Sequence, residues 1–286
     1  VIPGRGPPTP GKRWTVPAAG PSGVGNRTRR PEKRPGIPAR ARSRAYARLV
    51  LRITDARTGE PVDAAPARRG LTRVEAHPQG SDPTNLRVLL VADLLVRALE
   101  LGGTPVWALL TGGRRQAELR AAGAALGARP FEDGGGFGAG LGEAQVLHVV
   151  SEGGTAPDGV RVAVAPVHGE TDGADPAALR LALLARPRSE PVTVGPPALD
   201  AAADTLDRWR RAVADWARRP SRPIPDTVRA ELRTAWEDDL DTAGVLDVLR
   251  AVETDPGLTD GARFETYAYA DRLLGLDLTR DLGTPA

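Results

Sequence analysis

Histidine is the residue type whose ordinary pKa lies nearest neutrality, and this 286-residue chain has three, His77, His148 and His168, and no cysteine. Without cysteine there can be no disulfide, thiolate zinc site, iron–sulfur cluster or cysteine nucleophile. Lysine occurs only as Lys12 and Lys33, so residues 34–286 offer neither a P-loop lysine nor a Schiff-base amine. The histidines lie far apart, with no metal-ligand spacing. Each reads as a structural or surface residue, and neither a metal site nor a catalytic residue is expected. Glu237, Asp238, Asp239 and Asp241 crowd the junction of two predicted helices, without a D-D-x-x-D register. They read as caps and first-turn acids that favour the positive end of a helix. Glycines at 134, 135, 136, 138, 140 and 142 make Phe131–Gly142 a flexible loop. It lacks both the G-x-G-x-x-G register and the lysine of a phosphate cradle. No G-x-S-x-G elbow or Ser–His–Asp set can be assembled.

The elements that must position these groups fall into three stretches. Residues 1–44 hold eleven basic residues against Glu32 alone; with +3 on the whole chain, residues 45–286 carry −7. The first stretch, taken as 1–45, is rich in Pro, Gly and Arg and has no apolar periodicity. It predicts a disordered tail, either an extension without function or an arm for nucleic acid or a partner. Arg29-Arg30 is followed by Pro31 rather than an apolar run, and no secretory segment follows, so a cytoplasmic location is expected.

Residues 46–170 read as an α/β domain. Strands are predicted at 46–54, 71–77, 104–110, 145–150 and 160–167, with a turn-rich segment at 55–69. Helices are predicted at 83–101 and 114–126. Ser81-Asp82-Pro83 is a helix start, an Asp cap followed by Pro in the first turn. In the first helix Asp93, Arg97 and Glu100 form one polar stripe among Leu, Val and Ala. This predicts a largely buried helix, an i,i+4 ion pair and no membrane span. Asp158-Gly159 predicts a hairpin between the last two strands. Residues 171–286 read as a helical bundle, with helices near 176–186, 197–219, 226–239, 242–253 and 259–274. Leu199, Leu206, Trp209, Val213 and Trp216 recur at helical spacing, as do Val228, Leu232 and Trp236. These stripes are expected to be core rather than a ligand box. The fold class is thus α/β, a parallel-sheet domain followed by an α-helical bundle.

This order of elements, together with several local stretches, resembles the class I aminoacyl-tRNA synthetases. The similarity is strongest to the cysteinyl-tRNA synthetases, whose close relatives, the cysteine ligases of mycothiol biosynthesis, share the core. Leu51–Val62 is similar to the family's opening strand and turn. Leu86–Val106, with Arg87 and Asp93, is similar to its first Rossmann helix and following strand. Asp175–Leu184 is similar to the helix after its second signature, and Trp236–Leu249 to its bundle helices. The resemblance implies a class I catalytic fold of Rossmann type.

The family's signatures are altered. Where the family carries His-x-Gly-His for the ATP phosphates, this chain has Asp82-Pro83-Thr84-Asn85. A carboxylate there repels a phosphate and caps the helix itself. Where the family carries Lys-Met-Ser-Lys-Ser after an Asp-Gly turn, the chain has Asp158-Gly159-Val160-Arg161-Val162-Ala163-Val164-Ala165, with Arg161 the remaining cation. The zinc ligands that select cysteine are missing, so no zinc is expected. By resemblance, the residues placed to contact a nucleotide are Asp82, Thr84, Asn85, Arg161 and His77. The implied protein is a degenerate, non-catalytic relative that binds a nucleotide, an adenylate-like metabolite, tRNA or a protein partner. The competing expectation is an active ATP-dependent amino-acid ligase using Thr84, Asn85 and Arg161 with Mg²⁺.

Overall fold

The computed structural model describes residues 50–64, 70–112, 115–134 and 143–283, which belong to one compact unit. The expected tail and most of the glycine-rich loop lie outside the described residues.

The centre is a five-stranded sheet in the order β5-β4-β3-β6-β7: β3 (Leu71–His77), β4 (Val106–Leu110), β5 (Glu132–Asp133), β6 (Glu143–Ser151) and β7 (Val160–Val164). Every neighbouring pair is parallel. The chain steps outward through β4 and β5 on one side of β3, then crosses to β6 on the other, giving a topological switch between β3 and β6. β1 (Arg52–Thr54) and β2 (Pro61–Asp63) form a separate antiparallel ribbon.

Strand alternation gives the sheet two unlike faces. Val74 and Ala76 on β3, Leu147 and Val149 on β6, and Val162 and Val164 on β7 are buried in one apolar cluster with helix α1 (Pro83–Leu101). The other register carries Arg73, Glu75 and His77 on β3, His148 on β6 and Arg161 on β7. Helix α1 crosses the sheet and is buried nearly all round, because α7 (Asp260–Leu274) packs on it as well. Two charged side chains of α1 have internal partners. Arg87 donates to the carbonyls of Ala165, Arg186, Pro187 and Glu190 at 2.7–3.2 Å. Burial lowers its guanidinium to about 10. Asp93, fully buried, accepts from Arg97 at 2.8 Å, Arg180 at 3.0 Å and the Arg129 amide at 3.1 Å.

Helix α2 (Gln116–Ala125) follows β4. Helix α3 (Pro176–Leu184) begins at the Asp175 cap, whose carboxylate accepts from the Ala178 amide at 2.9 Å. The remaining helices are α4 (Pro196–Trp216), α5 (Asp226–Glu237), α6 (Thr242–Thr254) and α7. Trp209, Trp216 and Trp236 are all buried. The rings of Trp209 and Trp216 meet Tyr267 edge-on at 5.6 and 5.1 Å, so the tryptophan stripe is core. The acidic cluster disperses onto separate partners. Asp241 caps α6, Glu237 pairs with Arg233 at 2.6 Å, and Asp239 accepts from the Thr54 amide at 2.9 Å and from Arg188.

The structure corrects the sequence expectations at several places. Asp158-Gly159 does not make a hairpin: β6 and β7 run parallel, with Leu147 beside Val160, and residues 152–159 carry the chain back along the sheet. Gly159 (φ +152°) is needed for another reason. A Cβ there would lie 2.7 Å from the His148 ring, so only glycine can pass beneath it. The strand expected over 160–167 breaks at Ala165-Pro166, and β8 (Val167–His168) pairs instead with β9 (Val192–Thr193). The turn-rich segment after residue 55 contains β2, and Glu132–Asp133 of the expected loop forms an edge strand. Both are too short to leave a periodic signal.

Candidate ligand-binding site

Parallel sheets bind ligands beyond the carboxyl ends of their strands, where the strand order reverses. A cavity of about 430 Å³ opens at the carboxyl ends of β3 and β4, next to that reversal rather than in it. Its lining includes His77, Gln79, Gly80, Thr111, Arg115 and Gln116. Arg115 begins α2 in a left-handed conformation (φ 71°), and its exposed side chain lies 3.9 Å from Glu118.

The start of α1 borders this cavity and is filled by its own side chains. Asp82 Oδ1 accepts from the Asn85 amide at 3.1 Å, and Asp82 Oδ2 accepts from Asn85 Nδ2 at 2.5 Å. The other end of the Asn85 amide is also taken, since its Oδ1 accepts from the Gln79 backbone at 2.7 Å. The Thr84 hydroxyl accepts from the Val167 amide at 3.0 Å, tying the helix start to β8. An incoming phosphate would meet a carboxylate and lose the Asn85 amide to it. The residues present therefore do not fit a family-style phosphate site.

Arg161 is drawn elsewhere. Its Nη2 donates to the Ala156 carbonyl at 3.1 Å, and its backbone amide donates to Asp55 at 3.1 Å. Burial raises the Asp55 carboxyl, but hydrogen bonds from Arg57 and the Arg161 amide outweigh it and hold the group below its ordinary value. Of the five nominated residues, Asp82, Thr84 and Asn85 therefore gather at one helix end. Arg161 lies on the outer strand and His77 on the cavity wall.

His77 belongs to a second constellation that sequence spacing did not reveal. Parallel pairing sets Glu75 directly beside His148, and Glu75 and His77 share a face two residues apart. His77 Nε2 and His148 Nδ1 lie 2.8 Å apart. Glu75 Oε2 is 3.1 Å from His148 Nδ1 and 3.4 Å from His77 Nε2. Arg73 holds the other carboxylate oxygen at 3.0 Å. The neighbouring imidazoles of His148 and then His77 pull the Glu75 carboxyl well below the usual carboxylate range; burial opposes them and Arg73 assists. His168 stands apart and exposed on β8. The one signal for this cluster in the sequence was Glu75 itself, a carboxylate in an otherwise buried central strand, where such a residue needs partners.

No protein-family model matches the chain. Three curated relatives bear the same description, L-cysteine:1D-myo-inositol 2-amino-2-deoxy-alpha-D-glucopyranoside ligase. The protein from Parafrankia sp. (strain EAN1pec) is 41% identical over 115 residues. Those from Acidothermus cellulolyticus and Streptomyces griseus subsp. griseus are 39% identical over 106 and 111 residues. Each match covers 37% of this chain and about a quarter of the relative, 25%, 25% and 26% respectively. The chain thus spans about a quarter of the length of the curated relatives it matches. Over that stretch it is similar to mycothiol-type cysteine ligases, the synthetase-like group whose resemblance its own residues carry.

Proposed function

We propose that this chain is a small-molecule-binding protein built on a synthetase-like ligase core, and that it does not activate amino acids by the family's phosphate chemistry. The ligand it would take is a nucleoside-type or adenylate-like molecule at the carboxyl ends of β3 and β4. His77 would lie beside that ligand and Arg115 would supply the positive charge. A tRNA end or a protein partner is the other class of ligand the reading allows. The net charge of −7 on residues 45–286 weighs against tight nucleic-acid binding by the folded part.

One observation carries the reading: the Asp82–Asn85 pair that closes the start of α1. Donors aimed at a transferring phosphoryl group commonly supply the largest catalytic term, and losing one costs about 10²–10³ in rate. Here the family's two histidines are replaced by residues bonded to each other, and its two lysines by Arg161 alone.

The second reading, an active ATP-dependent amino-acid ligase, is favoured by the roughly 40% identity to enzymes described as ligases. In it Asn85 and Thr84 would leave Gln79, Asp82 and Val167 to meet the phosphates, with Mg²⁺ and Arg161 balancing the charge.

Two measurements on the same protein separate these readings. One is amino-acid-dependent exchange of pyrophosphate into ATP. The other is a thermal-shift screen with nucleotides, amino acids and adenylate analogues. A shift with an adenylate analogue and no exchange supports the binding reading. Exchange with any amino acid gives the assignment to the ligase.

A further inference from the structure

We propose that Glu75, His77 and His148 form a site for a divalent transition-metal cation of the zinc class, with two imidazole nitrogens and one carboxylate oxygen as ligands. The site stands on its own, whichever ligand the neighbouring cavity takes.

The argument is one of lone pairs. The Thr111 hydroxyl lies 3.1 Å from the Ala76 carbonyl and 2.5 Å from His77 Nδ1. A carbonyl can only accept, so both contacts are satisfied when the hydroxyl proton goes to Ala76 and Nδ1–H donates to Thr111. His148 Nε2 faces the Asp158 carbonyl at 3.3 Å and by the same logic carries its proton there. Each imidazole thus spends its proton outward and turns a bare nitrogen inward. His77 Nε2, His148 Nδ1 and Glu75 Oε2 then converge as three acceptors within 2.8–3.4 Å of one another.

Three acceptors at one point require a cation between them, either a proton or a metal. Zinc bonds of about 2.0–2.2 Å at tetrahedral angles separate ligand atoms by roughly 3.4 Å, so the observed triangle needs to open by a few tenths of an ångström. The outward hydrogen bonds to Thr111 and Asp158 are the arrangement that fixes tautomer and ring orientation in metal-bound histidines. Arg73 on Oε1 leaves Oε2 as the single coordinating oxygen. Gly159 supplies the clearance that His148 needs. Two histidines with one carboxylate suit zinc, iron(II) or cobalt(II) and leave coordination positions open. His77 also lines the cavity, so a bound cation would border it.

The test uses the full chain, stripped with a chelator and dialysed, then titrated with ZnCl₂ by calorimetry and with CoCl₂ by visible absorption. One equivalent should bind with a micromolar or tighter Kd, and cobalt should give d–d bands. His77→Gln and Glu75→Gln should each weaken zinc at least about 10-fold. Thr111→Val, which touches only the outer hydrogen bond, should weaken it about 10–100-fold. His168→Ala should leave binding unchanged. His77→Gln, at a half-buried strand end, decides the matter if the more buried Glu75 variant does not fold. Failure of the unmodified chain to take up either metal overturns the proposal and leaves a proton-sharing cluster. So does uptake that His77→Gln leaves unaltered, or that His168→Ala abolishes.

Discussion

Two buried carboxylates on opposite sides of the sheet plane show how differently one residue class can be used. Asp93 of α1 is fully buried, and its oxygens are taken by Arg97, Arg129 and Arg180. Arg180 in turn donates to the carbonyls of Leu126 and Leu274, so one charge pair ties α1, α3 and α7 to the end of α2. Burial lowers the Arg180 guanidinium, with Asp93 opposing, and Gly275 (φ 59°) leaves room for it, since a Cβ there would lie 2.8 Å from Arg180 Nη2. Glu75 has one permanent cation, Arg73, and two imidazoles beside its other oxygen. The first group is closed by fixed charges and holds helices together. The second is closed only by whichever cation enters. Partner type, rather than burial, separates scaffold from site.

The comparison breaks most visibly at Asp93. Asp93→Ala leaves Arg180 buried without its carboxylate and should cost about 3–5 kcal/mol in urea unfolding. The double variant Asp93→Leu with Arg180→Met should recover only part of that loss, because the buried Arg180 charge is gone but the Leu126 and Leu274 carbonyls, Arg97 and the Arg129 amide lose their partners. If the single variant costs under about 1 kcal/mol, Asp93 is not a structural keystone and the contrast with Glu75 fails.

The start of α1 tests a third closed carboxylate. Replacing Asp82 and Asn85 by histidine and Thr84 by glycine removes the cap, at about 0.5–2 kcal/mol, and takes negative charge from the helix start. The melting temperature should fall while ATP affinity, read by calorimetry, rises. Tight Mg²⁺-dependent ATP binding by the unmodified chain, lost in Asp82→Ala, would instead make Asp82 a working contact and favour the ligase reading.

Glu75→Gln sharpens the contrast from the other side. The amide nitrogen can donate to the two inward imidazole nitrogens while its oxygen keeps Arg73, so metal-free stability should change by no more than about 1.5 kcal/mol, well short of Asp93→Ala. A loss as large as that of Asp93→Ala would place Glu75 among the scaffold residues.

The smallest effect is expected at Asp55, whose pKa is lowered in the fold. A lowered carboxyl contributes stability above its unfolded pKa of about 3.8 and loses it as pH falls through the folded value. Asp55→Asn should therefore melt below the unmodified chain at pH 7, and the gap should narrow as the pH falls below about 3.8. A gap independent of pH would show that packing, rather than charge, accounts for the loss.

Local chemistry determined a good part of this molecule. The Asp82-Pro83 and Asp175-Pro176 starts, the apolar stretch of α1, the helical tryptophan spacing and the i,i+4 pair of Asp93 with Arg97 all follow from interactions within a few residues. Each is found where the sequence pointed. The capping of α1 by Asp82 was legible for the same reason, whereas the capture of the Asn85 side chain by the same carboxylate was not. What sequence could not supply was strand neighbourhood. Asp158-Gly159 reads as a hairpin because turn chemistry is local, whereas the parallel direction of β7 beside β6 appears only in their pairing. Arg180 lies 87 residues from Asp93, and His148 lies 73 residues from Glu75. Each of these meetings depends on helix packing or strand register, in which a slip of one residue would turn His148 to the other face. The residue types came from the sequence; that two dispersed histidines and a buried glutamate share one point was decided by the parallel pairing of β3 with β6.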